Sequence, residues 1–228
     1  MKNRIASWTT LLLFLGLIFV FAQCQEEEVI PDDANQEGNN GDGHGGHHGE
    51  GCSNDLSEYP LEDLSMEEVS TLLFMREEEK LARDVYLELY DQYGLTPFTH
   101  ISASEQEHMD MMLLLVDRYE LEDPIQEDTP GVFANTDLQQ LFDDLIIQGS
   151  TSEIEGLKVG AAIEEIDILD LIEAIEEANN QDLDAVYQCL MNGSYNHLKA
   201  FVKNLKNRDV IYEPQYLSPS QYDAIVNP

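Results

Sequence analysis

From Ser57 to Arg208 apolar residues recur at spacings of three and four and never alternate convincingly in twos, so the pattern predicts helices and no strands. Helix one opens on the capping-box pair Ser65 and Glu68 and stops at Gly94, a residue suited to the left-handed turn that ends a helix. Helix two starts between Thr99 and Ser104 and runs to about Glu120, with Asp123-Pro124 beyond it. A looser stretch holds a short helix from about Thr136 to Gln148, closed by Gly149. Helix three covers about Ser152 to Ala178, and helix four about Asp182 to Lys206, with a disturbance expected at Asn192-Gly193. After Arg208 the helical pattern fades, and residues 209–228 are expected to form an extension lying over the domain surface.

Tracing each buried stripe exposes its exceptions. Helix one reads Leu72, Met75, Glu79, Ala82, Tyr86, Leu89, Tyr93, an apolar seam broken by one acid. Helix two gives Ile101, Glu105, His108, Met112, Leu115, Tyr119, and helix three gives Leu157, Gly160, Glu164, Asp167, Leu171, Ile175. Helix four gives Val186, Leu190, Gly193, His197, Ala200, with Ser194 one turn before His197. Glu79, Glu105, His108, Glu164, Asp167 and His197 are therefore expected to share one interior. An unpaired buried carboxylate costs several kcal/mol even after relaxation. No Lys or Arg stands on the seams, and two histidines cannot neutralise four acids. Two divalent metal ions can, with carboxylates bridging and one imidazole on each. That donor set suits iron or manganese better than zinc, which favours cysteine or more histidine, or calcium, which does not use imidazole. The carboxylates then act as metal ligands rather than general acids. Tyr86 is read as packing, His100 is given no role, and Cys189 is read as a small buried hydrophobe.

The chain as a whole carries 46 Asp and Glu against 11 Lys and Arg, a formal charge of −35 over 228 residues. That sign excludes nucleic acid as a partner, since phosphate binding needs a basic surface, and it points to cations. The acidity names no site; the few acids on apolar seams do. Three cysteines form no C-x-x-C pair, so a cysteine-ligated electron-transfer iron is not expected.

The N-terminal quarter reads differently. Lys2 and Arg4 precede an apolar run from Leu11 to Ala22, too short to cross a bilayer but of the right length for an export signal. Phe21-Ala22-Gln23-Cys24 resembles the lipobox of bacterial lipoproteins, with Phe21 in place of the usual leucine. The resemblance implies a signal over residues 1–23, acylation of Cys24, and membrane attachment through that lipid. Gln25-Glu26-Glu27-Glu28 resembles the acidic run with which some Gram-negative groups send lipoproteins outward, so the expected location is the cell envelope, at the outer membrane or cell surface. Residues 24–54 are rich in Gly, Asp, Glu, Asn and His and lack hydrophobic periodicity, the composition of a tether. Within it His44, His47 and His48 form a candidate auxiliary metal tract, weighed evenly against a plain spacer.

The helical motifs also carry a family resemblance. Glu79-x-x-Ala82-Arg83-x-x-Tyr86 resembles the first-helix motif of rubrerythrins, Glu105-x-x-His108 their second, and Glu164-x-x-Asp167 their third. With Gly193-Ser194-x-x-His197-Leu198-x-Ala200-Phe201, the stretch from Leu72 to Leu205 resembles a bacterial and archaeal family of the ferritin-like superfamily catalogued as a domain of unknown function. The resemblance implies an all-α fold: a ferritin-like four-helix bundle over residues 55–208, with the short extra helix in the crossover between helices two and three. It also implies a di-iron site, with manganese as the alternative. Ser194 departs from the pattern, standing where such bundles carry a glutamate, and Asp167 is expected to restore the carboxylate.

The leading expectation is an exported lipoprotein that binds ferrous iron and oxidises it with dioxygen or peroxide, as a ferroxidase or a peroxide-reducing oxidoreductase. Sustained peroxide turnover needs an external electron donor. Two alternatives stay open: a surface lipoprotein that captures metal without turnover, and a structural helical lipoprotein with an empty site. A homo-oligomer and a monomer are equally compatible with the sequence, and no residue is assigned a catalytic role.

Overall fold

The computed structural model describes residues 55–227. Among them are six α-helices and no strand: α1 (Met66–Tyr93), α2 (Thr96–Arg118), α3 (Thr136–Gly149), α4 (Glu153–Glu177), α5 (Gln181–Lys206) and α6 (Pro219–Val226). The expected leader and tether, with Cys24, His44, His47 and His48, lie outside the described residues. No helix among those described is long and apolar enough to cross a membrane.

The ends of α1 are those its sequence encodes. Ser65 accepts the backbone N–H of Glu68, the Glu68 carboxylate returns to the backbone N–H of Ser65, and Gly94 closes the helix at φ 66°. Helix α2 begins earlier than expected, at Thr96, because Pro97 suits a helical first turn, where its missing N–H has no partner to lose. Helix α5 is unbroken through Asn192-Gly193, contrary to the disturbance expected there. Gly193 is present for side-chain clearance, because a Cβ at that position would lie 2.5 Å from His108 Nε2.

Helix α1 packs along α2 and α4 along α5, and the pairs meet through α1 against α4 and α2 against α5. Helix α3 covers α1 and α4, and α6 lies on α5. Leu72, Met75, Leu89, Met112, Leu115, Leu157, Leu171, Leu190 and Phe201 form part of a dry core. Complete burial of each such side chain contributes roughly 1.5–3 kcal/mol. Tyr86, Phe98 and Phe201 cluster with ring centroids 5.2–6.3 Å apart, and Phe201 fits because Gly160 offers no Cβ against its ring.

The middle of α1 is buried on every side, from Met75 to Tyr86. Most of its charges are paired. Arg76 bonds to Asp123 and to the Met109 carbonyl, and Arg83 bridges Asp84 and Asp128. Lys80 pairs with Asp84, reaches the Thr129 carbonyl at 2.9 Å and sits 4.5 Å from the centre of the Phe133 ring. Glu77 receives the N–H groups of Ala134 and Asn135. These contacts fasten the α2–α3 connection to α1 and occupy the buried cations away from the seams. Glu79 pairs with a histidine instead, His108 on α2 at 3.2 Å.

The C-terminal segment is docked by a buried carboxylate and does not merely lie over the surface. Glu165 accepts the N–H groups of Gln215, Tyr216 and Leu217, and Tyr212, Leu217 and Tyr222 are buried. The short helix α6 starts on a second capping box, Ser218 with Gln221, which the fading apolar pattern concealed. Cys189 also departs from its reading as a buried hydrophobe: it is half-buried and disulfide-bonded.

Candidate metal centre

Four helices supply the site. Glu79 projects from α1, Glu105 and His108 from successive turns of α2, Glu164 and Asp167 from α4, and His197 from α5, and all six are buried. Ligand atoms of Glu79, Glu105 and His108 lie within 4.8 Å of one another, and so do those of Glu105, Glu164 and His197. The two groups thus share Glu105. Its Oε2 is 2.8 Å from His108 Nδ1 and its Oε1 is 2.9 Å from His197 Nδ1. Glu79 Oε2 completes one side at 3.2 Å from His108 Nδ1, and Glu164 Oε2 the other at 3.4 Å from His197 Nδ1. The imidazoles face each other with centroids 5.4 Å apart.

His108 Nδ1 and Glu79 Oε2 are within hydrogen-bond distance, but other atoms of the interior are not so satisfied. Glu79 Oε1, Glu105 Oε1, Asp167 Oδ1 and His197 Nδ1 are fully shielded from solvent and none has a hydrogen-bond partner. Buried polar atoms are almost always satisfied, so four orphans in one interior call for an additional group. Two imidazolium ions cannot balance four carboxylates, whereas two divalent cations with these oxygen and nitrogen donors can. The residues of both groups therefore could hold metal.

Supporting contacts orient the donors, as outer partners do in metal sites. The outward nitrogen of His197, Nε2, is 2.9 Å from Ser104 Oγ, which leaves Nδ1 to face the carboxylates. Tyr86 donates to Glu164 Oε1 at 2.5 Å, so Glu164 Oε2 is the oxygen on the His197 side. Gly193 gives His108 room. Asp167 lies beside the two groups and joins neither, and the Ser194 hydroxyl donates to its Oδ2. His100 is exposed, in keeping with having no role.

Electrostatics in the metal-free chain reflect the crowding. Burial opposes a charge on His197, but Glu105 and Glu164 outweigh it and push the imidazole up to about 10. His108 is likewise raised, by Glu79 and Glu105 against burial. Glu105, for which burial alone favours the neutral form, is held well below the carboxylate range by the two histidines. Burial and the charge of Glu105 raise Glu164 to about 7, and burial raises Glu79. Each group in the interior titrates against the others, so a cation entering there displaces protons.

Sequence periodicity alone did not expose Ser104, Tyr86 as the partner of Glu164, or the buried Glu78. Ser104 sits one turn from His108 on α2 and was a candidate helix start. Glu78 falls off the seam, and only the all-round burial of α1 brings it inside.

An all-helical protein with two buried carboxylate–histidine groups that could hold metal is the class these features define. The chain belongs to the family described as an uncharacterized protein domain, DUF2202, whose model matches residues 68–228 and so takes in the docked C-terminal segment. It is 45% identical over 172 residues to the uncharacterized protein MJ0754 of Methanocaldococcus jannaschii, spanning 75% of this chain and 93% of that protein. The crystal structure of the hypothetical protein MJ0754 from Methanococcus jannaschii is similar at a TM-score of 0.73 and 46% identity, over 74% of this chain and 97% of that one.

Proposed function

We propose that this protein is a ferritin-like four-helix protein of the cell envelope that binds a pair of iron ions and oxidises ferrous iron with dioxygen or peroxide. The observation that carries the reading is the sharing of Glu105 between two buried Glu–His groups in which Glu79 Oε1, Glu105 Oε1 and His197 Nδ1 have no hydrogen bond. A single bridging carboxylate with one imidazole on each side suits two like cations held close together. Iron fits the mixed oxygen and nitrogen donors, and manganese is the alternative metal. When bound, ferrous iron supplies the electrons that reduce the oxidant.

The chain's own part is to hold and shield. Glu79 with His108, and Glu164 with His197, would hold the two ions, with Glu105 common to both groups. Tyr86 and Ser104 fix which atoms face inward, and the ring cluster of Tyr86, Phe98 and Phe201 keeps water from the Glu164 side. Turnover with peroxide draws on an external electron donor. The lipobox-like Cys24 and the acidic residues after it support export and a lipid anchor at the outer membrane or cell surface.

Anaerobic titration of the metal-free chain with ferrous iron, followed by oxygen, tests the reading. Two irons bound per chain and rapid oxidation are expected. Binding without accelerated oxidation makes the protein a metal-capture lipoprotein instead. Unchanged stoichiometry in both Glu79→Ala and His197→Ala sinks the site assignment.

A further inference from the structure

The acids that crowd most of this chain stop short of one face. Of 228 residues 46 are acidic, yet no Asp or Glu occurs from Ala185 to Arg208, the longest such run among the described residues, and the next longest is Gln92 to Ser104. The first run lies along α5 and the second takes in the start of α2, and these helices meet where Ser104 Oγ stands 2.9 Å from His197 Nε2. Lys199, Lys203 and Lys206 follow one another at spacings of four and three, so they line one side of α5. Lys203 and Lys206 are exposed, Lys199 is half-buried, and none of them pairs with a described acid. Every other described lysine or arginine stands within 4.0 Å of a carboxylate. On α2 the exposed Thr96 and Ala103 add no charge.

Helix electrostatics do not account for this pattern. The dipole suits Lys203 and Lys206 in the last turn of α5, but it equally favours acids in the first turn of α2, and none is there. The centre also comes nearest to solvent where the two helices meet: His197 is 8% exposed, against 1–6% for the other five site residues.

We propose that the outward side of α2 and α5, charged by Lys199, Lys203 and Lys206, is the docking surface for a small acidic one-electron carrier protein, which meets the centre at His197. The proposal rests on the iron reading above, in which peroxide turnover draws on an external donor. The carrier gives one electron for each ferric ion returned to the ferrous state and is itself oxidised by one. Lysines without partners, on a surface otherwise rich in acids, select an acidic protein by complementarity and set its orientation. A lipid surface gains nothing from lying over His197, whereas a donor does. At about 0.1 M salt, charges act over about 10 Å, so this face rather than the net charge governs contact.

Binding of an oxidised plant-type ferredoxin, an acidic iron–sulfur carrier, to the full metal-free chain is the test. Wild type is compared with the triple reversal Lys199→Glu, Lys203→Glu and Lys206→Glu, and with Lys158→Glu as a reversal outside the face. The triple variant is expected to bind about ten-fold more weakly or worse and to slow peroxide-driven oxidation of reduced ferredoxin by the iron-loaded chain to match, with Lys158→Glu near wild type and ferrous stoichiometry unchanged. The double variant Lys203→Gln and Lys206→Gln, at exposed positions, reports even where reversal loosens the helix end. No binding by wild type, or equal affinity in wild type and both variants, overturns the proposal; loss of binding to phosphatidylglycerol vesicles, or of self-association, in those variants then assigns the face to a lipid or to a second copy. If wild type binds the ferredoxin through these lysines but takes up no iron, the iron reading fails and the docking face stands.

Discussion

Replacing Gly193 by alanine probes whether His108 is held in place by clearance on α5. The added Cβ would lie 2.5 Å from His108 Nε2 and 2.7 Å from Cε1, where ordinary contact starts at 3.4 Å. The ring must retreat by about 1 Å, because packed interiors hold few voids to absorb the methyl. Its Nδ1 now stands 2.8 Å from Glu105 and 3.2 Å from Glu79, so a shift of that size carries it out of reach of a cation placed between them. Metal–nitrogen bonds of about 2.0–2.1 Å tolerate only about 0.2 Å of error. Affinity on the Glu79–His108 side is therefore expected to fall by at least the 10–100-fold typical when a supporting partner is lost. The fold changes far less. Overpacking costs about 1–3 kcal/mol, and alanine in place of a helical glycine returns about 1 kcal/mol, leaving roughly 0–2 kcal/mol of destabilisation. Competition titration with manganous ion and denaturant unfolding of the metal-free protein separate the two quantities. Wild-type affinity at both positions of the centre in Gly193→Ala refutes the argument.

Other outcomes follow from the same interior. Metal affinity is expected to climb with pH up to about 10, where His197 loses its proton unaided, and to fall below that as the cation must displace it. The metal-free chain moves the other way. His197 and Glu164, raised from 6.5 and 4.5, favour the native state at low pH and lose that contribution as pH rises through about 10 and 7. Glu105 opposes them only below its ordinary 4.5, and urea midpoints from pH 5 upward that rise in the metal-free protein count against this balance. Tyr86→Phe keeps the ring packing and removes the bond to Glu164, so about 1 kcal/mol of stability and some metal affinity should go together; unchanged affinity makes Tyr86 packing alone. Lys80→Met leaves Asp84 with Arg83 as its one cation and the Thr129 carbonyl without its donor, and should cost about 1–3 kcal/mol with metal stoichiometry intact.

Local sequence determined the helices and one half of the site's logic. Capping residues, glycine stops and three-four spacing marked the five longer helices, because those signals act within a turn or two of the chain. The same spacing marked Glu79, Glu105, His108, Glu164 and His197 as polar residues on apolar seams, since a helix brings residues three and four apart onto one face whatever surrounds it. Tertiary structure decided what periodicity cannot carry. It made Glu105 the residue shared by both groups, left Asp167 against Ser194, and put Gly193 under the His108 ring. Those outcomes depend on how far apart helices stand and how they are turned, and no single helix encodes either. The burial of α1 on every side likewise follows from α3 and the α2–α3 connection closing over it. That closure turned Glu78 from an off-seam acid into a buried carboxylate, and drew Lys80 and Arg83 into pairs away from the centre. Docking of the last residues rests on Glu165, one position from Glu164 on α4. Adjacent acids on that helix thus face opposite tasks, one towards the centre and one towards the C-terminal backbone, because their side chains leave the helix about 100° apart.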